Sequence, residues 1–173
     1  MGLGRVHTIA VQTFVVARRG GSGYARPMLV AEWMTRRPRV VKPNDTLRRA
    51  RAILEELRVN QLPVVVDGKV VGIVTDRDLR DAFPSALDHR RQRSSRSNPS
   101  PDDVTVSTIM TSKLLTLAPD DTVAEAARVM RKGRIGALPV VEGRKLVGLI
   151  TRSDLLDVLV AMAEPAAPLT TRR

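Results

Sequence analysis

Residues 34–81 read MTRRPRVVKPNDTLRRARAILEELRVNQLPVVVDGKVVGIVTDRDLRD, and residues 110–157 read MTSKLLTLAPDDTVAEAARVMRKGRIGALPVVEGRKLVGLITRSDLLD. Displaced by 76 positions, the two stretches align without a gap, and 18 of the 48 pairs are identical where chance would give about three. The identities come in blocks. Met34-Thr35 matches Met110-Thr111, Pro43 and Asp45-Thr46 match Pro119 and Asp121-Thr122, and Leu62-Pro63-Val64-Val65 matches Leu138-Pro139-Val140-Val141. Toward the end of each copy, Val71-Gly72 matches Val147-Gly148, Thr75 matches Thr151, and Asp78-Leu79 matches Asp154-Leu155. One such unit is too short to cover a sheet of its own, so the copies are expected to pack on each other as a pseudo-twofold pair.

Within a copy, the pattern reads β-α-β-β-α, which makes the chain an α+β protein. A short β-rich segment, Arg39 to Val41 or Leu115 to Leu117, opens each unit and is followed by a Pro-containing turn. Leu47, Ala50, Leu54 and Leu57 then recur at helical spacing, as do Val123, Ala126 and Met130, and mark one apolar face per helix. Thr46 and Thr122 stand at the N-cap. Thr122 and Glu125 have capping-box spacing, whereas the first copy has Arg49 at that place and keeps only the threonine cap. Two β-branched runs follow, 63–66 with 69–75 and 139–141 with 145–151, joined by Asp67-Gly68 in the first copy and by a turn near Gly143 in the second. A last helix is expected from Asp76 to about Phe83 and from Arg152 to about Met162.

Around the repeats the sequence divides into an extension over 1–29, units at 30–83 and 106–162, a Pro/Ser/Arg-rich linker over 84–105 and a tail over 163–173. The extension holds a modestly apolar stretch from Thr8 to Ala17. It is too short to span a bilayer, Gln12 and Thr13 interrupt it, and no cleavage pattern follows, so a cytoplasmic, membrane-free protein is expected. Gly20, Gly21 and Gly23 read as a flexible connector. With no cysteine in 173 residues, thiol catalysis, disulfides and cysteine metal sites are excluded. His7 and His89 lie apart from each other and from carboxylate clusters, which argues against a histidine metal site or base.

The net charge of +11 raises a nucleic-acid reading, carried by Arg90, Arg91, Arg93 and Arg96 of the linker with Arg48, Arg49, Arg51 and Arg58 of the first helix. The excess is dispersed, at +3 over 1–33, +4 over 34–81, +1 over 82–109, +2 over 110–157 and +1 over 158–173. One Trp, one Tyr and two Phe offer little stacking surface for single strands. No nucleophile with a base and an orienting group, and no paired acid and base, can be assembled, so an enzyme is not expected.

The combination of Met-Thr, Pro-x-Asp-Thr, Leu-Pro-Val-Val and Gly-x-x-Thr-x-x-Asp, present in both copies, resembles the CBS domain, and a tandem of two resembles a Bateman module. That resemblance implies a regulatory sensor that binds AMP, ADP, ATP or S-adenosylmethionine in clefts between the units. It also implies a homodimer built through the helices, an output through a separate effector protein, and no required cofactor. A scaffold that dimerises without binding a ligand is the alternative within the same family.

The tail motif has chemistry of its own. Thr75 and Thr151 stand where a strand turns into a helix, so a hydroxyl and unpaired helix N–H groups converge there and suit a phosphate. Asp78 and Asp154 lie three residues on, and a carboxylate has acceptors for both hydroxyls of a ribose diol. The same Thr-x-x-Asp spacing is also a capping box, which would only start the helix. For the base, the resemblance points to Val41, Val59 and Gln61 in the first copy and to Leu117, Ile135 and Ala137 in the second, all of which also suit ordinary packing. Asp76 in the first copy stands opposite Arg152 in the second, so the second site is expected to prefer more negatively charged ligands, with Arg152 on the phosphate.

Overall fold

The computed structural model describes residues 26–82 and 102–163. Readings that fall on residues before 26, on the linker arginines, on Phe83, His7 and His89, and on the tail from 164 lie outside the described residues. The order of elements is α1 (Val30–Trp33), β1 (Thr35–Arg36), α2 (Leu47–Leu57), β2 (Gln61–Val66), β3 (Lys69–Thr75) and α3 (Asp76–Ala82) in the first half. The second half has α4 (Val106–Ile109), α5 (Val123–Gly133), β4 (Ala137–Glu142), β5 (Lys145–Thr151) and α6 (Arg152–Ala163). This is the expected α+β pair.

The helices begin and end where local chemistry places them. Thr46 Oγ1 accepts from the Arg49 amide at 3.2 Å, and Thr122 Oγ1 from the Glu125 amide at 3.1 Å. Leu47, Ala50 and Leu54 bury one face of α2; Val123, Ala126 and Met130 bury the matching face of α5. Both helices close on an arginine in the left-handed region, Arg58 at φ 53° and Arg134 at φ 52°, whose amides return to carbonyls of the last turn. One detail departs from expectation. Among the described residues the reciprocal arm of the Thr122 box does not form, because the Glu125 carboxylate accepts from Arg128 at 3.0 Å.

β2 and β3 pair antiparallel from Gln61↔Thr75 to Val66↔Lys69, and β4 and β5 from Ala137↔Thr151 to Glu142↔Lys145. The turns differ in chemistry. Asp67 and Gly68 both have positive φ, at 49° and 74°, as a type I′ turn demands, while in the second hairpin only Gly143 does, at 63°, as in type II′. The hairpin tips meet at Lys69↔Lys145, where the Leu146 amide donates to Gly68 O at 3.0 Å.

The opening segments are shorter than the β-rich reading suggested. Arg39–Val41 and Leu115–Leu117 contribute only the parallel bridges Val41↔Val64 and Leu117↔Val140. The turn that follows pulls the chain off the sheet: the Lys42 amide donates to Asp45 Oδ2 and the Ala118 amide to Asp121 Oδ2, each at 2.8 Å.

The short elements that precede each copy are exchanged between the copies. Val30 of α1 is fully buried among Leu117, Ala126, Met130, Leu138 and Ile150 of the second unit, and Val106 of α4 is fully buried among Val41, Leu47, Leu54 and Leu62 of the first. Backbone bonds follow the same reciprocity. Val30 N donates to Asp121 O at 2.8 Å, and Val106 N to Asp45 O at 2.9 Å. Beyond α1, Thr35 and Arg36 pair with Leu149 and Gly148 of β5; beyond α4, Thr111 exchanges two bonds with Ile73 of β3, at 3.0 and 2.9 Å.

Glycine permits this crossing. A Cβ at Gly72 would stand 2.5 Å from Met110 Sδ and 3.3 Å from Thr111 O, and a Cβ at Gly148 would overlap Met34 Sδ. The repeated Met-Thr and repeated Gly are therefore two halves of one contact made twice. Each hydrophobic core contains a residue from the other half of the chain, which joins the units along sequence-distant segments.

Candidate ligand-binding site

Each strand-to-helix corner is tied by the same three bonds. In the first unit the Thr75 amide and Thr75 Oγ1 donate to Asp78 Oδ2 at 2.8 and 2.7 Å, and the Asp78 amide donates to Thr75 Oγ1 at 3.2 Å. In the second, the Thr151 amide and Oγ1 donate to Asp154 Oδ2 at 2.6 and 2.8 Å, with the Asp154 amide to Thr151 Oγ1 at 3.4 Å. The Thr-x-x-Asp spacing thus acts as a capping box that starts α3 and α6. All four residues are half-buried, so the corners are neither sealed nor fully solvated. The cap engages one carboxylate oxygen. Among the described residues Oδ1 of Asp78 and Oδ1 of Asp154 take no bond, which leaves an acceptor with two lone pairs at each corner.

The segment before each Leu-Pro closes against its corner. The Asp76 amide donates to Asn60 O at 2.9 Å and the Arg152 amide to Gly136 O at 3.0 Å, while Gln61 pairs with Thr75 and Ala137 with Thr151 in the ladders. Val59, Gln61, Ile135 and Ala137 are therefore brought to the corners. Val59 is 37% exposed, Gln61 and Ile135 are half-buried, and Ala137 is 8% exposed. Val41 and Leu117, expected in the adenine pocket, lie instead inside the cores at 1% and 5% exposure, bonded through their backbones to Pro63 and Pro139. Their side chains are taken up by packing against α2 and α5.

Electrostatics separate the corners. Asp76, at the start of α3, is paired with Arg80 at 2.8 Å. Arg152, its counterpart, is exposed and donates through Nε to Ile135 O at 3.1 Å, which leaves its guanidinium amines beside the segment before β4. Asn60 and Gly136 went unnoticed in the sequence because they act through backbone carbonyls, which leave no residue-type signal. Of the helix arginines considered for nucleic acid, Arg48 pairs with Asp102 at 2.5 Å, Arg51 with Glu55 at 2.8 Å and Arg49 with Asp45 at 3.6 Å, and Arg58 forms the αL cap. Among the described residues no group of three His, Cys, Asp or Glu is placed to hold a metal ion, and no helix is long and apolar enough to cross a membrane.

Comparison with known proteins agrees with this architecture. The CBS domain family matches the chain twice, over residues 30–85 and 106–161. A CBS domain-containing protein of Dictyostelium discoideum is 36% identical over 145 residues, which cover 82% of this chain and 97% of that protein. Other relatives are longer, and the chain spans 39% of one and 21% of another. Among solved structures, the CBS domain pair of protein MJ0100, in complex with 5′-methylthioadenosine and S-adenosyl-L-methionine, superposes with a TM-score of 0.66 at 27% identity, over 79% of this chain and 99% of that one. CBSX2 in complex with AMP gives a TM-score of 0.65 at 28% identity, over 79% and 99% of the two chains. Two copies of one α+β unit, each closed by a Thr-x-x-Asp corner and joined by reciprocal exchange, belong to the CBS-domain family, and this chain is a tandem CBS-domain member of it.

Proposed function

We propose that the chain is a regulatory module that binds an adenosine-containing ligand, AMP, ADP, ATP or S-adenosylmethionine, at its two strand-to-helix corners and signals to a separate effector protein. The observation that carries this reading is the unengaged carboxylate oxygen of Asp78 and of Asp154 beside a threonine hydroxyl, repeated in both units and reachable from solvent. Asp Oδ1 accepts from the ribose hydroxyls, and Thr75 or Thr151 turns its hydroxyl proton from the carboxylate to a phosphate oxygen or, in S-adenosylmethionine, to the methionyl carboxylate. Val59 with Gln61, and Ile135 with Ala137, flank the base. Arg152 adds a positive charge on the second site alone. The MJ0100 pair and CBSX2, whose bound molecules are of this chemical class, support the assignment.

Binding at a corner is felt by the other unit, because β3 and β5, which lead into the corners, also carry the exchanged arms at Thr111 and Thr35. Ligand that favours one arrangement of those arms shifts the population of the pair, and a partner reads the shift. The output partner is a protein in the same compartment, taken to be the cytoplasm. The chain itself carries no chemistry beyond binding, and no cofactor is needed. A homodimer through α6 belongs to the same reading: Leu156, Leu159, Val160 and Met162 of that helix are 62%, 60%, 53% and 48% exposed, a large apolar face for a short helix.

Calorimetric titration of AMP, ADP, ATP and S-adenosylmethionine into the wild type and into the Asp78→Ala, Asp154→Ala double variant tests the proposal. At least one ligand binds the wild type and is lost in the double variant. Binding that survives both substitutions, or no binding of any of the four, rejects the site.

A further inference from the structure

A second concavity stands apart from the corners. The chain from Arg37 to Val40 runs beside α2 and bounds an open groove of about 740 Å³. Arg37, Arg39 and Arg49 line it together with Ala52, Ile53 and Leu57, and none of Thr75, Asp78, Thr151 or Asp154 does. The apolar lining is reachable: Leu57 is 44% exposed and Val40 is 38% exposed. Asp45 lies 3.6 Å from Arg49, and among the described residues Arg37 and Arg39 make no ion pair.

The lining residues of this groove are not repeated in the second unit. At the matching places of the second unit stand Leu115 for Arg39, Glu125 for Arg49 and Gly133 for Leu57. There Leu115, 40% exposed, leans over Gly133 with its Cδ1 3.6 Å from where a Cβ would be, and Glu125 is paired with Arg128. Arg37 also holds a left-handed backbone, φ 51°, which its counterpart Lys113 does not. Where the second unit has a leucine and a glutamate, the first has guanidinium groups around an open apolar floor.

We propose that this groove binds a small amphipathic anion, an acyl or aryl body with a carboxylate, phosphate or sulfonate head, independently of the adenosine corners. Ala52, Ile53 and Leu57 cover the body, and Arg39 and Arg49 take the head through planar, charge-assisted hydrogen bonds, with Arg37 adding its charge at the rim. The inference goes beyond the sensor reading and does not depend on it.

The test uses the full chain and the fluorescent probe 8-anilinonaphthalene-1-sulfonate. The wild type gives a saturable enhancement with one site per chain. The Arg39→Leu, Arg49→Glu variant, which copies the second unit's residues, binds about tenfold more weakly, and Leu57→Asp weakens binding similarly. Lys132→Glu, on the exposed side of α5, changes nothing. Octanoate or phenyl phosphate displaces the probe, whereas inorganic phosphate and AMP at the same concentration do not. Circular dichroism on each variant separates lost binding from lost folding. Non-saturable enhancement, equal affinity in the double variant, failure of both organic anions to compete, or displacement by AMP or by inorganic phosphate alone overturns the proposal.

Discussion

Adding one methyl group at Gly72 probes the reciprocal exchange between the units. The new Cβ would sit 2.5 Å from Met110 Sδ, 3.1 Å from Met110 Cγ and 3.3 Å from Thr111 O. Carbon and sulfur prefer a separation about 1 Å greater than the first of these, so the methionine has to move. Met110 is packed against the first unit's core, and Thr111 O is held by its bond from the Ile73 amide at 3.0 Å, so neither neighbour yields freely. Overpacking of this kind costs about 1–3 kcal/mol. Gly136→Ala is the control, since a Cβ there meets nothing within 4 Å and its φ is ordinary, and it is expected within about 0.5–1 kcal/mol of neutral or stabilising.

Urea denaturation of the two variants and of wild type reads the difference, which at a slope of about 1–3 kcal/mol/M is a midpoint shift of order 1 M. Repeating Gly72→Ala in a Met110→Ala background completes a double-mutant cycle. The methyl then occupies vacated space, and the two changes together cost less than their sum by about 1 kcal/mol. A Gly72→Ala penalty below about 0.5 kcal/mol, or one unchanged by the loss of Met110, would refute the reasoning.

Three further outcomes follow from the same geometry. Arg48 bonds Asp102 through its side chain at 2.5 Å, and this hydrogen bond, with the guanidinium charge, holds the Asp102 carboxyl below the usual carboxylate range. A depressed carboxylate contributes stability that is present above its unfolded pKa and lost as pH falls through the folded value. Arg48→Ala therefore raises the Asp102 midpoint in a carboxyl NMR titration and leaves stability near neutral pH almost unaltered, because both groups are exposed. At the corners, the ATP:AMP affinity ratio is higher at the second site than at the first in single-site variants, and Arg152→Asp lowers it; equal ratios at both sites would count against the charge argument. Leu159→Glu on α6 converts a dimer to a monomer in sedimentation experiments with little change in melting temperature, and a wild type that is already monomeric would dispose of that interface.

Much of the unit was legible because its signals are local. Thr46 and Thr122 announce helix starts, the spacing of Leu47, Ala50 and Leu54 announces the buried face, and Asp67-Gly68 announces a hairpin. The partner of each Met-Thr arm was not legible. Identical residues in both copies satisfy pairing within a unit and pairing across units equally well, and helices of four residues such as α1 and α4 carry no periodic pattern. The Glu125 capping arm failed for a related reason, since Arg128 one turn on offers a better charge partner than a backbone amide. At the corners, Thr75, Asp78, Thr151 and Asp154 were readable as residues, but not the division of labour between the two carboxylate oxygens. Val41 and Leu117 show the opposite limit: an aliphatic side chain reads alike whether it lines a pocket or fills a core, and only burial distinguishes them.

The sensor account is tested most directly by following backbone amide resonances of the full chain while AMP or S-adenosylmethionine is added. Thr75 and Asp78 with Asn60 at one corner, and Thr151 and Asp154 with Gly136 at the other, shift first, residues of one corner saturate together, and substituting asparagine for both aspartates, which preserves the helix caps, abolishes the shifts. Resonance changes that map to the groove beside α2, or that persist in the asparagine variant, would contradict the account.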